Sequence, residues 1–215
     1  VQNFRPGTIE KMGYGYDVLE KLNPGIIMVN VSAYGQFGPY KDKIGYDPVG
    51  QAVSGIMMVT GPEGQPPIRA GVPIIDRTTA LHAAIGALAA LREREISGKG
   101  QSIDVCLADT GYSYTEIPVT AYMGGAGEPQ RGEGHQPAPS GAYECTDGWV
   151  LLSSGDQHQW PRVCRALDKP EWLEDERFSE RQRRLQNSGA INDVVNHMLS
   201  KMSMKEAVDH FTHHD

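Results

Sequence analysis

The sequence predicts an α/β protein: part of a doubly wound large domain followed by a smaller α+β domain. Three observations predict it. The run 26–31 (Ile-Ile-Met-Val-Asn-Val) is almost wholly apolar and rich in β-branched residues, the pattern of a strand covered on both faces in a parallel sheet. A helix pattern precedes this run, and a long alanine-rich helix pattern over 76–96 follows it and leads into a second strand pattern at 102–107. Helices alternating with buried strands build doubly wound sheets. Beyond a Gly- and Pro-rich stretch at 124–141 the pattern changes to one hairpin followed by helices.

The elements follow in order. Residues 8–22 read as a short helix, weakened by Gly13 and Gly15 and stopped by Asn23-Pro24-Gly25. After the first strand comes a long loop, 33–45, with Gly35, Gly38 and Pro39, where folds of this kind place their ligands. Within 76–96, Leu81, Ile85, Leu88 and Leu91 recur at helical spacing and mark the expected core face. The small residues between them (Ala83, Ala84, Gly86, Ala87, Ala89, Ala90) allow another backbone to approach closely, so this helix is expected to be central. Ser97-Gly98-Lys99-Gly100 ends it. Residues 109–123 read as a helix interrupted at Pro118. Residues 143–153 form a hairpin turning at Asp147-Gly148, and helices follow at 156–167, within 176–186, at 191–202 and at 204–211. The expected domains are 1–107, part of a Rossmann-like large domain; 108–131, a linker; and 132–215, part of the small domain.

Composition narrows the function. The chain has 215 residues and a net charge of −7, with 20 basic against 27 acidic residues and no basic run. That argues against a nucleic-acid partner. The longest apolar stretch, 80–91, falls short of the ~20 residues of a membrane span, which argues against a membrane partner. Cys106, Cys145 and Cys164 are odd in number and widely spaced, so a reducing, cytoplasmic setting is expected. The chain lacks an initiator Met and closes inside a helix pattern, so it is read as a fragment of a longer protein. His213-His214 reads as a frayed end, since spacing places no third ligand, and no metal is expected.

Spacing alone leaves the chemistry open. The chain has no P-loop, no GxSxG elbow, no HExxH and no GxGxxG opening a helix after a strand. Asp76 follows the apolar Val72-Pro73-Ile74-Ile75 and begins the alanine-rich helix. It reads either as an N-cap or as a carboxylate nucleophile kept ionised by the helix N-terminus. Asn3-Phe4-Arg5-Pro6-Gly7 offers an amide, an aromatic face and a cation, which suit a nucleotide or phosphate but also an ordinary loop. Tyr46 reads as a packing ring or a catalytic hydroxyl, His82 as a core histidine and His135 as loop surface.

An ordered set of segments carries a resemblance. They are Asn3-Phe4-Arg5-Pro6-Gly7, Met12-Gly13, Gly15-Tyr16, Ser32-Ala33-Tyr34-Gly35-Gln36-Phe37-Gly38-Pro39-Tyr40, Gly45-Tyr46-Asp47, Gln51-Ala52-Val53-Ser54-Gly55, Thr60-Gly61 with Pro66-Pro67, Asp76 with 85–91, 97–101, Asp147-Gly148-Trp149 and Lys169-Pro170-Glu171-Trp172. The chain resembles the class III CoA-transferases, the family of formyl-CoA transferase and the carnitine CoA-transferase. The resemblance implies an acyl-CoA:carboxylate CoA-transferase whose catalytic residue is Asp76, working through an aspartyl anhydride and an aspartyl-CoA thioester. It implies coenzyme A as substrate, held by Asn3, Phe4, Arg5, Lys11, Tyr46 and Asp47, with a carboxylic acid as acceptor. It also implies an interlocked homodimer. A Lys found in some members near the Gly-Tyr-Asp segment is Ile44 here, and 132–141 is the nearest stretch to the glycine-rich loop of some transferases. The related α-methylacyl-CoA racemases carry a His where this chain has Tyr46. A racemase needs two bases, so Tyr46 favours the transferase over an isomerase. A non-catalytic acyl-CoA-binding relative is the third alternative.

Overall fold

Two parallel strands, β1 (Met28–Ser32) and β2 (Ser102–Cys106), pair in register from Met28↔Ser102 to Ser32↔Cys106 in the computed structural model, which describes residues 1–125, 127–129, 131–132 and 136–214. Gln2 bridges to Asn30 on the other edge of β1, with Gln2 N–H donating to Val29 O and Val31 N–H to Gln2 O. β1 is therefore flanked on both sides, and Met28, Val29 and Asn30 are buried. One polar residue interrupts this apolar run. Asn30 Oδ1 accepts from Gln2 Nε2 at 2.8 Å, while its Nδ2 donates to Ser102 Oγ and Ile103 O, so a buried amide is satisfied across three segments.

The chain divides into two compact units, Val1–Pro129 and Gln130–Asp215. In the first unit, 8–22 forms two helices rather than one: α1 (Thr8–Lys11) and α2 (Tyr16–Leu22), separated by Gly13 at φ 83°. Between the strands run α3 (Asp47–Val53), α4 (Ile56–Val59) and the 24-residue α5 (Ile74–Ser97), which packs on β1, β2, α3 and on α6 (Leu107–Tyr112). α5 begins two residues earlier than expected, which moves Asp76 from the cap into the first turn.

The buried face of α5 is Ile75, Thr79, Ala83 and Ala90, and this corrects the expected core face. Leu81, Ile85 and Leu88 are 62–65% exposed. The helix has two apolar faces, one of large and one of small residues. Periodicity finds the large one, but the sheet selects the small one because only it permits close approach. Gly86 shows how close: a Cβ there would lie 3.1 Å from Ile103 Cγ2. His82 lies on the exposed side of α5 with Nδ1 3.3 Å from Thr110 Oγ1, and is not a core histidine. By length and composition α5 is long and apolar enough to cross a bilayer, which the 80–91 stretch alone did not show. Here one face of it packs on the sheet, and its face of large apolar residues is exposed.

Gly98, at φ 71°, ends α5 in the left-handed conformation expected there. Gly100 then passes so close to the segment leading into β1 that a Cβ would fall on the Ile26 backbone carbonyl. Gly100→Ala is expected to cost about 3 kcal/mol in urea unfolding, because the atoms in the way are the Gly25-Ile26 backbone rather than the end of a flexible side chain.

The stretch 108–131, expected as a linker, carries most of α6 and all of α7 (Glu116–Met123) within the first unit. The Cys106 thiol caps α6 by accepting from Asp109 N–H, and Thr115 Oγ1 donates to Ser54 O. The break between these helices falls at 113–115, and Pro118 sits in the first turn of α7, where a missing N–H costs little.

The second unit is a hairpin, β3 (Ser140–Cys145) and β4 (Gly148–Ser153), that shares one core with α8 (Trp160–Ala166), α10 (Ser188–Leu199) and α11 (Met204–His213), with α9 (Arg181–Gln186) leading into α10. Trp172, in a one-turn 3-10 helix, stacks on Trp160 and packs at a tilt against Phe178, and the fully buried Arg184 lays its guanidinium over the Trp160 ring. The guanidinium of Arg184 donates to Gln157 Oε1 and to the carbonyls of Gly155 and Phe178.

Candidate active site

The carboxyl end of β1, the returning loop 33–45 and the first half of α5 enclose a cavity of about 700 Å³. Val31, Ser32 and Ala33 form one wall, Gly45 and Tyr46 another, and Ala80, Ala83, Ala84 and Ala87 the floor; Asn3 and Asp76 also face it. This is the place where α/β folds of this kind put ligands. The loop is drawn back onto the sheet by Gln36 N–H donating to Asp104 Oδ2 and Gly35 N–H to Ser32 Oγ. Its closing approach is tight enough that a Cβ on Gly45 would lie 2.9 Å from Ala33 Cβ.

The N-terminus of α5 bears on the capping reading of Asp76. A helix start leaves four backbone N–H groups without intrahelical partners. Pro73 holds the N-cap position and has no side-chain acceptor to offer. Ile74 N–H turns back to Val72 O, and Arg77 N–H reaches Pro73 O. Ile75 and Asp76 N–H both donate to Asp47 Oδ2, at 2.8 and 3.1 Å. The capping carboxylate therefore comes from α3, 29 residues earlier in the chain.

Asp76 is thereby released from capping. Its side chain has no hydrogen bond or ion pair among the described residues, and it is solvent-exposed on the cavity wall. Partial burial, and then the negative charge of Asp47, hold its carboxyl above the ordinary value of 3.8. Both causes disfavour the anion, so once ionised it is a more basic nucleophile than a free aspartate.

The other expected site residues separate into three groups. Asn3 and Tyr46 line the cavity with Asp76, and Tyr46 is 72% exposed. Phe4, Arg5 and Lys11 are exposed but lie outside its wall. Phe4 N–H is held by Gln2 Oε1, so the buried Gln2–Asn30 pair sets where this segment leaves the sheet. Asp47, the remaining expected coenzyme contact, has its side chain engaged within the fold. It is buried, at 5% exposed, and its oxygens are taken by α5 and by Gln51 Nε2 at 2.6 Å.

Gln51 and Asn30 were not singled out from sequence. The four-residue spacing of Asp47 and Gln51 on one helix, and a lone Asn inside an apolar strand, are the signals that point to them. His135 lies outside the described residues. Among the described residues no group of three His, Cys, Asp or Glu side chains is placed to hold a metal ion.

Comparison with known proteins gives this cavity a context. The chain is 37% identical over 198 residues to succinyl-CoA–D-citramalate CoA-transferase of Chloroflexus aurantiacus, covering 91% of this chain and 49% of that protein. It is 34% identical to human succinyl-CoA:glutarate CoA-transferase, covering 91% and 45%. A CaiB/BaiF family protein from Brucella suis superposes with a TM-score of 0.79 at 28% identity, covering 98% of this chain and 56% of that one. The chain thus spans about half the length of the curated relatives it matches. The model of CoA-transferase family III matches residues 1–215, so the chain belongs to that family.

Proposed function

We propose that the protein carrying this chain moves coenzyme A between carboxylic acids, with Asp76 as the covalent nucleophile. One observation carries the reading: the Asp76 carboxylate is unpaired on the wall of the cavity because Asp47 caps the helix in its place. The CoA-transferase names of the relatives support the same reading.

In the proposed sequence, an Asp76 oxygen attacks the thioester carbonyl, the C–S bond breaks, and CoA leaves as thiolate. This gives a mixed anhydride between Asp76 and the donor acyl group. The thiolate then attacks the aspartyl carbonyl and releases the donor carboxylate, leaving an aspartyl-CoA thioester. The acceptor carboxylate displaces the thiolate to form a second anhydride. Attack of the thiolate on the acceptor acyl carbon makes the new acyl-CoA and restores Asp76. Each step exchanges one activated acyl bond for another, so one difficult exchange becomes four easier ones.

Asn3, Phe4, Arg5, Lys11 and Tyr46 are the proposed coenzyme contacts, an aromatic face suiting the adenine and cations the phosphates. Asp47 is left out because its oxygens are occupied. Assembly as a homodimer belongs to the same reading and is supported by the open face of Leu81, Ile85 and Leu88. A reducing compartment is supported by the three buried free cysteines.

The test is to incubate the full protein with succinyl-CoA and glutarate, quench, and weigh the peptide containing Asp76. The expected result is a gain in mass equal to CoA bound as a thioester, absent from Asp76→Ala. CoA exchange at wild-type rate in Asp76→Ala would sink the reading. Uptake of solvent deuterium at the α-carbon without transfer would point to an isomerase instead. None is expected, since Tyr46 stands where a second base would be needed.

A further inference from the structure

We propose that Gln51 is a positioning residue that keeps Asp47 on the N-terminus of α5 and so prevents Asp76 from capping its own helix. The inference rests on the nucleophilic reading of Asp76.

Gln51 is fully buried, one helical turn after Asp47 on α3. Its orientation is fixed by what it meets. Ala70 N–H, a donor, lies 2.8 Å from Oε1, so the amide NH₂ must face Asp47, where it donates to Oδ1 at 2.6 Å. The links form a closed circuit: Asp76 N–H to Asp47, Asp47 to Gln51, Gln51 to Ala70, and from Ala70 along the chain to Asp76. The segment entering the helix and the carboxylate capping it are therefore held by one amide.

Without that amide, the Asp47 carboxylate can turn away from Ile75 and Asp76. Asp76, in the first turn, carries a carboxylate that those backbone N–H groups would then be free to engage. A carboxylate that accepts them is pointed at its own helix and has lost part of its charge density to hydrogen bonds. It would then be a misdirected and weaker nucleophile. The titratable groups facing Gln51 across this circuit are Asp47 on its own helix and, through the α5 amides, Asp76.

The test uses two variants of the full protein beside Asp76→Asn. Gln51→Leu removes the circuit and is expected to lower kcat about tenfold to a hundredfold, with KM for acyl-CoA within about twofold. Gln51→Glu is the decisive variant. When protonated, its O–H donates to Asp47 and its carbonyl accepts from Ala70, so the circuit survives. When ionised, it sets one carboxylate against another. Its kcat relative to wild type is therefore expected to fall as pH rises, whereas wild-type activity rises as Asp76 ionises. A merely structural role would lower melting temperature without inverting the pH profile. A Gln51→Glu profile that superposes on wild type, or Gln51→Leu losses that track the unfolded fraction, would overturn the inference while leaving Asp76 in place. Full activity in Asp76→Asn would remove both.

Discussion

Asp76→Asn is expected to lower kcat for CoA transfer by about 10⁴-fold or more while leaving a folded protein that still binds acyl-CoA. Asn keeps the size and shape of the side chain but cannot form an anhydride. The fold should tolerate it because the Asp76 carboxylate makes no capping bond: Ile75 and Asp76 N–H are satisfied by Asp47. Stability should shift in the opposite direction to activity. The folded-state pKa of Asp76 lies above the ordinary 3.8, through burial first and Asp47 second, so the folded chain holds this proton more tightly than the unfolded chain. Stability is therefore lost as pH rises from about 3.8 through the raised value, and the full penalty persists at neutral pH. Asn does not ionise and escapes that penalty. Melting temperatures of the two proteins should coincide below pH 3.8 and separate at neutral pH with Asp76→Asn the higher. A variant less stable than wild type at neutral pH would show that Asp76 holds the helix after all. The same raised pKa is expected to place the acid limb of the wild-type kcat profile above that of an ordinary aspartate.

Asp47→Asn is expected to destabilise the first unit by about 2 kcal/mol, although the two side chains differ by one atom in outline. Asp47 receives three donors: Gln51 Nε2 on one oxygen, and the Ile75 and Asp76 amides on the other. Asn offers one oxygen and one NH₂, so in either orientation a donor faces a donor. Turning Gln51 over to meet the new NH₂ would only move the conflict to Ala70 N–H. The site is buried, so water does not relieve it. Urea unfolding should show a lower midpoint with an unchanged slope. Kinetics should show a second effect. With the Asp47 charge removed, the pKa of Asp76 falls towards its ordinary value, and the acid limb of the surviving activity moves to lower pH. An acid limb that stays in place would mean that Asp47 is not the charge Asp76 feels.

Much of this was legible in the primary structure, for reasons that differ from element to element. The β-branched run that forms most of β1, the Gly98 stop of α5 and the Asp-Gly of the hairpin are local signals, set by backbone sterics within a few residues. The break between α1 and α2 was readable only in part. Gly13 and Gly15 lower helix propensity, but propensity does not say whether packing will override it. The α5 face shows the limit most plainly. Periodicity ranks Leu81, Ile85 and Leu88 as core because it counts apolar area, while the sheet takes Thr79, Ala83 and Ala90 because it needs thin side chains. A pattern along one chain carries no information about how closely its neighbour approaches.

What the residues determined by themselves was the set of candidates: an aspartate at the start of an alanine-rich helix, a loop of glycines after a strand, and an ordered series of segments shared with a family of CoA-transferases. Which aspartate caps and which is free was decided only in three dimensions. Both Asp47 and Asp76 have the chemistry for either task. The choice rests on α3 delivering one carboxylate to two N–H groups that sequence leaves 28 and 29 residues away. Hydrogen-bond donors at a helix end take the acceptor that geometry brings nearest, and geometry at that range is a property of the packed fold.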